Sequence, residues 1–306
     1  VVFNVFVVFS ALVASMRTGN ALARYTEAAS YLHKLNGCWC DATASLVSFC
    51  RSSKAAAEEV SNFEHTLIRL VSVLSSMCFD GLQHGRGGSS QAFRFEVLGA
   101  SELDDETQSA ILRSDHKVEA VFQMVQQLVV DAIETKVLSL PPPILNRPLA
   151  ELSSGLKVYH EAKKLSCVPL PQAYYILTAT ILISQAVYVP WMMALYTRGV
   201  VGAWFYTFFG VFMLWFVNFV ANALDNPFQK AARTLDASDA QRELNSHLLQ
   251  VLDLARLPTP RMQEECMRKQ SEAKVLNLKR QSYLTWARTA TSVFTENNEQ
   301  RDETVR

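Results

Sequence analysis

The chain has 306 residues, 49% of them hydrophobic and 19% charged, with a mean hydropathy of +0.08. That is too apolar for a typical soluble protein and too charged for one made only of membrane spans, so a membrane part joined to a soluble helical part is expected. Its 29 basic residues balance 29 acidic ones, which leaves no electrostatic footprint for nucleic acid.

Residues 1–16 carry no charge. The chain begins inside this apolar run, so a preceding span and any targeting segment are expected ahead of it. Sixteen helical residues reach only ~24 Å at 1.5 Å each, short of the ~30 Å hydrocarbon core. The run therefore reads as part of a span, or as a helix lining a protein-enclosed space. Asn4, Ser10 and Ser15 are unusual toward lipid and tolerable toward water or another helix. Arg17 and Arg24 lie seven apart on one helix face, and Glu27 is placed to pair with Arg24. These charges mark the cytoplasmic exit of the span.

From residue 28 to about 81 the apolar positions recur at three- and four-residue spacing, as in an amphipathic helix. Residues 54–59 form either an exposed section of it or a break. Three glycines among residues 85–88 make 84–90 a loop. The helical pattern resumes near Asp104, with Thr107 or Asp105 as cap, and runs through Ile133. Pro141-Pro142-Pro143 ends it, and a shorter helix is expected from Pro148 to about Leu165.

The sixty residues between Lys164 and Asp225 contain one formal charge, Arg198. Thr197-Arg198-Gly199 divides them into two runs, each long enough to cross a bilayer. Tyr174, Tyr175, Tyr188, Trp191, Tyr196, Trp204, Phe205, Tyr206 and Trp215 crowd the ends, where amphipathic rings favour the headgroup level. A transmembrane hairpin over residues 165–228 follows; a buried hairpin in a large soluble core is the alternative.

Beyond it, Asp236-Ala237-Ser238 caps a helix to about Leu257, Leu257-Pro258-Thr259-Pro260 is a hinge, residues 263–294 read as helix, and residues 296 onward as disordered. The organisation is thus a span and its exit (1–27), a cytoplasmic helical region (28–164), a membrane hairpin (165–228), a helix on the bundle (229–257) and a charged tail (258–306). Lys163 and Lys164 before the hairpin and Lys230 and Arg233 after it place the soluble part in the cytoplasm or its equivalent. The fold class is all-α: a polytopic membrane protein with a cytoplasmic helical bundle.

Cys38-Trp39-Cys40 is too tight for a zinc pair, and the histidines show no metal-ligand spacing. Phosphate-cradling, dinucleotide and nucleophile-elbow motifs are absent from the sequence. No catalytic group, metal or cofactor is assigned, and an enzyme is not expected.

At Arg17, Ala21, Arg24, Tyr25 and Glu27, again at Val168-Pro169-Leu170-Pro171, and at Asp225-Asn226-Pro227-Phe228, the chain resembles the bestrophin family of anion channels. It looks closest to the branch found in bacteria and in algal or plant organelles. Met16, Leu22 and Thr26 stand where the family has aromatic residues. The resemblance implies a homopentamer in a bilayer (a plasma membrane or an organelle membrane such as thylakoid or chloroplast envelope), with four membrane helices per subunit around one pore passing chloride and other monovalent anions.

The family's pore neck, three apolar side chains at four-residue steps, falls here on Val8, Leu12 and Met16, with Asn4 one step further. Packing against lipid or another helix is the alternative for these positions. Arg17, Arg24 and Glu27 are expected to hold the helix exit by charge pairing. The acidic cluster that clasps calcium in animal members is replaced by Gln229-Lys230-Ala231-Ala232-Arg233, so no calcium switch is expected. A non-conducting membrane-anchored scaffold is the rival reading.

Overall fold

The computed structural model describes residues 2–84, 95–99, 104–228, 235–258, 283, 285 and 286. Among them every regular element is helical: α1 (Val2–Phe49), α2 (Ala57–His84), α3 (Asp105–Arg113), α4 (Lys117–Glu134), α5 (Pro142–Cys167), α6 (Gln172–Tyr196), α7 (Val200–Leu224) and α8 (Ala237–Ala255), with a short 3-10 turn at Cys50–Ser52. The chain forms two compact units, Val1–Arg256 and Leu257–Arg306. In the second, Tyr283 and Trp286 lie one helical turn apart with ring centroids at 6.0 Å. The rest of the expected 263–294 helix, the polar tail, residues 229–234 and, of the expected 84–90 loop, all but His84 lie outside the described residues; His84 is the last residue of α2.

The first 140 residues contain no proline, and α1 runs unbroken for 48 of them. The expected exit near Arg24 is therefore a change of surroundings and not a break in the helix. Its buried positions Ser10, Arg17, Ala21, Ala28, Leu32, Leu35, Trp39, Ala42 and Leu46 recur at steps of three, four or seven, the periodicity of one helix face. The break comes at residues 50–56. Ser53 is extended (φ −60°, ψ 146°), and its hydroxyl oxygen accepts the Ala55 N–H at 3.1 Å, a local bond that competes with the helix ladder.

Two expected boundaries differ. The helix read from Asp104 through Ile133 is two helices, because Ser114 turns extended (φ −72°, ψ 133°) and its N–H closes on the Ala110 and Ile111 carbonyls at 3.2 and 3.3 Å. Serine and aspartate at 114 and 115 favour such local bonds over a continuing helix. The cap of α3 is Asp104, whose carboxylate accepts the Thr107 N–H at 2.8 Å. The proline run, for its part, starts α5 and does not end α4: Pro141 is the N-cap, with prolines in the first turn, where a missing N–H leaves no bond unmade. α4 has already stopped at Glu134, and Lys136 turns the chain with φ 63°.

Among the described residues three helices are long and apolar enough to cross a membrane: the one spanning Phe3–Ser52, Gln172–Tyr196 and Val200–Leu224. The molecule is an all-α polytopic membrane protein. Its aliphatic core lies elsewhere, in the extramembrane bundle, where Leu46, Leu67, Leu74, Phe79, Val121, Leu152 and Leu244 pack together from α1, α2, α4, α5 and α8. The Cys38-Trp39-Cys40 triplet finds its reason here. Trp39 is fully buried against α5 at Gly155, where an added Cβ would meet its ring at 2.7 Å. Cys38 and Cys40 are half-buried on either side, Cys40 Sγ lying 3.9 Å from His247 Nδ1 of α8.

A buried polar knot ties α8 to α2. The Ser72 hydroxyl donates to Asn245 Oδ1 at 2.7 Å, Gln241 Nε2 reaches the Ser72 carbonyl at 3.1 Å, and Asn245 Nδ2 reaches the Glu96 carbonyl at 2.8 Å. Networks of this kind favour one register, since a one-turn slip would break these bonds together.

Candidate functional site

The membrane half of α1 presents two faces of opposite character. Outward lie Asn4, Val8, Leu12 and Met16, with Val8 66%, Leu12 56% and Met16 58% exposed. Four-residue steps drift ~40° each on a 3.6-residue helix, so these side chains form one stripe. The stripe continues past the apolar stretch through exposed Gly19, Ala23, Thr26, Ser30 and Gly37, so the same side of α1 stays unpacked along the whole helix.

Inward lies Arg17, one residue after Met16 and 5% exposed. Its Nη2 donates to Asn222 Oδ1 and, at 3.3 Å, to Asp225 Oδ2, while its guanidinium sits 4.7 Å from the centroid of the Tyr175 ring. An arginine costs too much at membrane depth unless paired, and a charge partner, an amide oxygen and an aromatic face together meet that cost. Asp225 is the acidic residue of the sequence motif at the end of α7. Two motifs more than 200 residues apart are thus the two halves of one buried ion pair.

Arg24 acts two turns further on. Its Nη2 donates to the Leu165 carbonyl at 2.8 Å and the Val168 carbonyl at 3.0 Å, and not to Glu27 as the spacing suggested. Leu165 lies in the last turn of α5, whose carbonyls lack helical partners, and a cation there also meets the negative end of the helix dipole. Pro169 and Pro171 have no N–H to offer those carbonyls. Pro171 is the N-cap of α6, its carbonyl accepting the Tyr174 N–H at 3.0 Å. Glu27 accepts instead from the Tyr31 hydroxyl at 2.7 Å, and Tyr25 is half-buried on the same turn.

The end-of-span motif divides its work. Asp225 faces Arg17, Pro227 is buried, and Phe228 enters the bundle core that holds Leu244 and Leu248. Arg17 and Arg24 therefore clamp both ends of the α6–α7 hairpin to one face of α1.

Sequence reasoning missed Asn222 and read Tyr175 as a headgroup-level ring. The legible signal for Asn222 was its place in an uncharged run three residues before Asp225, one turn away on the same face. Phe3 packs on α6, its ring centroid 5.9 Å from that of Tyr188 and 6.4 Å from that of Tyr196. Ser10, unusual toward lipid, is buried and donates to the Phe6 carbonyl at 2.8 Å. Among the described residues no group of three metal-ligating side chains comes together. An open groove of about 840 Å³ between α6 and α7 is lined chiefly by apolar side chains such as Pro190, Trp204 and Phe208, and it offers no charged group.

No family model and no curated protein matches the sequence. Solved structures do match. A bacterial bestrophin homologue from Klebsiella pneumoniae superposes with a TM-score of 0.68 at 17% identity, over 81% of this chain and 86% of that one. A point variant of that homologue gives 0.68 at 16% identity, over 82% and 86%. A structure described as a membrane protein, also with one substitution, gives 0.70 at 15% identity, over 84% and 87%. The fold is bestrophin-like.

Proposed function

We propose that this bestrophin-like chain is one subunit of a pentameric anion channel, with Val8, Leu12 and Met16 forming the hydrophobic neck and Asn4 above it. One observation carries the reading: a single side of α1 stays exposed from the apolar stretch down past the bundle. Helices α2, α5, α6, α7 and α8 all pack on the other sides of α1, which leaves this side for a second copy of the chain or for water. The stripe goes from Val8, Leu12 and Met16 to Gly19, Thr26 and Ser30 without being covered, as a helix does when it lines one water-filled conduit.

Such a neck acts by dewetting: a ring of apolar side chains lets an ion through when it is wide or short enough to stay hydrated, and it favours weakly hydrated ions. Passive conduction of chloride and other monovalent anions follows, with no catalysis. The extramembrane bundle then stands in the cytoplasm or an organellar equivalent, and residues 229–233 provide too few oxygen ligands for a calcium switch.

Planar-bilayer recording of the purified full chain tests this. A reversal potential that tracks the chloride gradient supports the channel. No conductance from a pentameric preparation refutes it, and a monomer or dimer in detergent favours the scaffold. Alanine at Val8, Leu12 and Met16 is expected to change conductance or gating severalfold, whereas alanine at Val201, on the outer surface of α7, leaves both unchanged. Phe3, packed on α6, is not a neutral control.

A further inference from the structure

The inward side of the membrane half of α1 carries more polar chemistry than the Arg17–Asp225 pair uses. Between α1, α6 and α7 lies a cavity of about 10 Å³ lined by Ser10, Arg17, Thr18, Thr178 and Asn218 among apolar neighbours. Two atoms of this lining are buried with no hydrogen-bond partner among the described residues: Arg17 Nε, a donor, and Asn218 Oδ1, an acceptor. The three hydroxyls have spent their hydrogens on their own helices, Ser10 on the Phe6 carbonyl, Thr18 on Ala14 and Thr178 on Tyr174, each at 2.8 Å. Their oxygens remain acceptors.

We infer that this cavity is a binding site for one water molecule, which accepts from Arg17 Nε and donates to Asn218 Oδ1 and to a hydroxyl oxygen. The volume decides the ligand's size: roughly 10–15 Å³ of this measure holds a single water, and a buried water makes about three bonds. The chemistry decides its kind. The site needs one lone pair for the arginine and two hydrogens for the acceptors, and water supplies both. A chloride ion is larger, has no hydrogen to donate, and would face the Asn218 oxygen and the hydroxyl oxygens as a like charge. This arginine is therefore not an anion subsite, although it lies one residue from the neck.

The bridge completes a pattern on α7. Asn218, Asn222 and Asp225 lie at i, i+4 and i+7, on one face, and all three oxygens then serve Arg17, two directly and one through water. A bridging water is enthalpically close to a direct bond and its ordering costs little entropy, less than leaving two polar groups unmet at membrane depth. The inference is independent of conduction, since it concerns how the hairpin is held.

The test is a map of the full chain in lipid nanodiscs at a resolution that shows ordered water. One peak at roughly 3 Å from both Arg17 Nε and Asn218 Oδ1 supports the site. An empty cavity, a direct Arg17–Asn218 bond that closes it, or a peak that gains density in bromide overturns it. Thermal melting gives a second readout with opposite signs. Val13→Ile pushes a methylene into the cavity without touching a polar group: expelling a water lowers the melting temperature, whereas filling a dry void raises it. Asn218→Leu is expected to lower it further, and Asn218→Asp, which keeps the acceptor, to hold or raise it. A rise for Val13→Ile and Asn218→Leu overturns the inference.

Discussion

The two halves of α1 are the same helix turned inside out. Toward the bundle, its packed positions are Leu32, Leu35, Trp39 and Leu46, and its exposed ones are Glu27, His33, Lys34 and Asp41. Toward the membrane, its packed positions include Ser10 and Arg17, and its exposed ones are Val8, Leu12 and Met16. In water the apolar face must be hidden, because burial there removes it from solvent at roughly 25 cal/mol per Å². In lipid that force between helices is gone, and polar contacts and close packing hold helices together instead. The periodicity of the packed side is unchanged; what occupies it depends on which solvent the other side meets.

The largest test of that contrast is to break the polar contact in the membrane half. Arg17→Met leaves Asp225 buried without its charge partner and is expected to cost about 3–5 kcal/mol. Thermal unfolding in detergent reads it, and Asp225→Leu combined with Arg17→Met should recover part of the loss. If Arg17→Met alone were neutral, the membrane half would be held by packing and the contrast would fail.

In the bundle half the vulnerable contact is apolar. Gly155→Ala drives a methyl into the Trp39 ring, and overpacking of this kind costs about 1–3 kcal/mol. Trp39→Phe in the same background makes room and should restore stability. The boundary between halves is next: Arg24→Ala frees the Leu165 and Val168 carbonyls, at a cost on the order of 1–2 kcal/mol for charge-assisted bonds in a half-exposed place. Hydrogen exchange should show the end of α5 and the start of α6 opening first, with the Trp39 region unaffected.

Smallest is an acid effect confined to the bundle side. The hydrogen bonds from Thr107 hold the Asp104 carboxyl below its ordinary range. A lowered folded-state pKa means that the cap contributes fully above the usual aspartate range and is lost as pH falls through the lowered value. Circular dichroism during acid titration should show a slight loss of helix at the acid end that Asp104→Asn, a cap without the charge, flattens. A mutant that titrates like the parent would remove Asp104 as its source.

Much of this was legible in residue order, because it depends on local composition. Apolar run length marked both spans of the hairpin, Arg198 and Gly199 marked its turn, and Asp236 marked the start of α8. These features are set by the solvent or by bonds within one turn, and neighbouring residues carry that information. Helix boundaries at Ser114 and Pro142 were misread because a proline or a serine has opposite meanings at the start and the middle of a helix, and only the backbone says which applies.

The pairings belong to the tertiary structure. That Arg17 meets Asp225, Asn222 and Tyr175, that Arg24 leaves Glu27 for the end of α5, and that Trp39 needs a glycine at 155 each join residues more than a hundred positions apart. Arginine at two turns' spacing says that two cations share a face, but not what lies opposite. The partner is chosen by how α5, α6 and α7 dock on α1, and that docking minimises a sum over the whole molecule that no local window contains. The sequence determined that α1 has a polar residue at 17 and apolar ones at 8, 12 and 16; the fold decided which of them face the protein and which face outward.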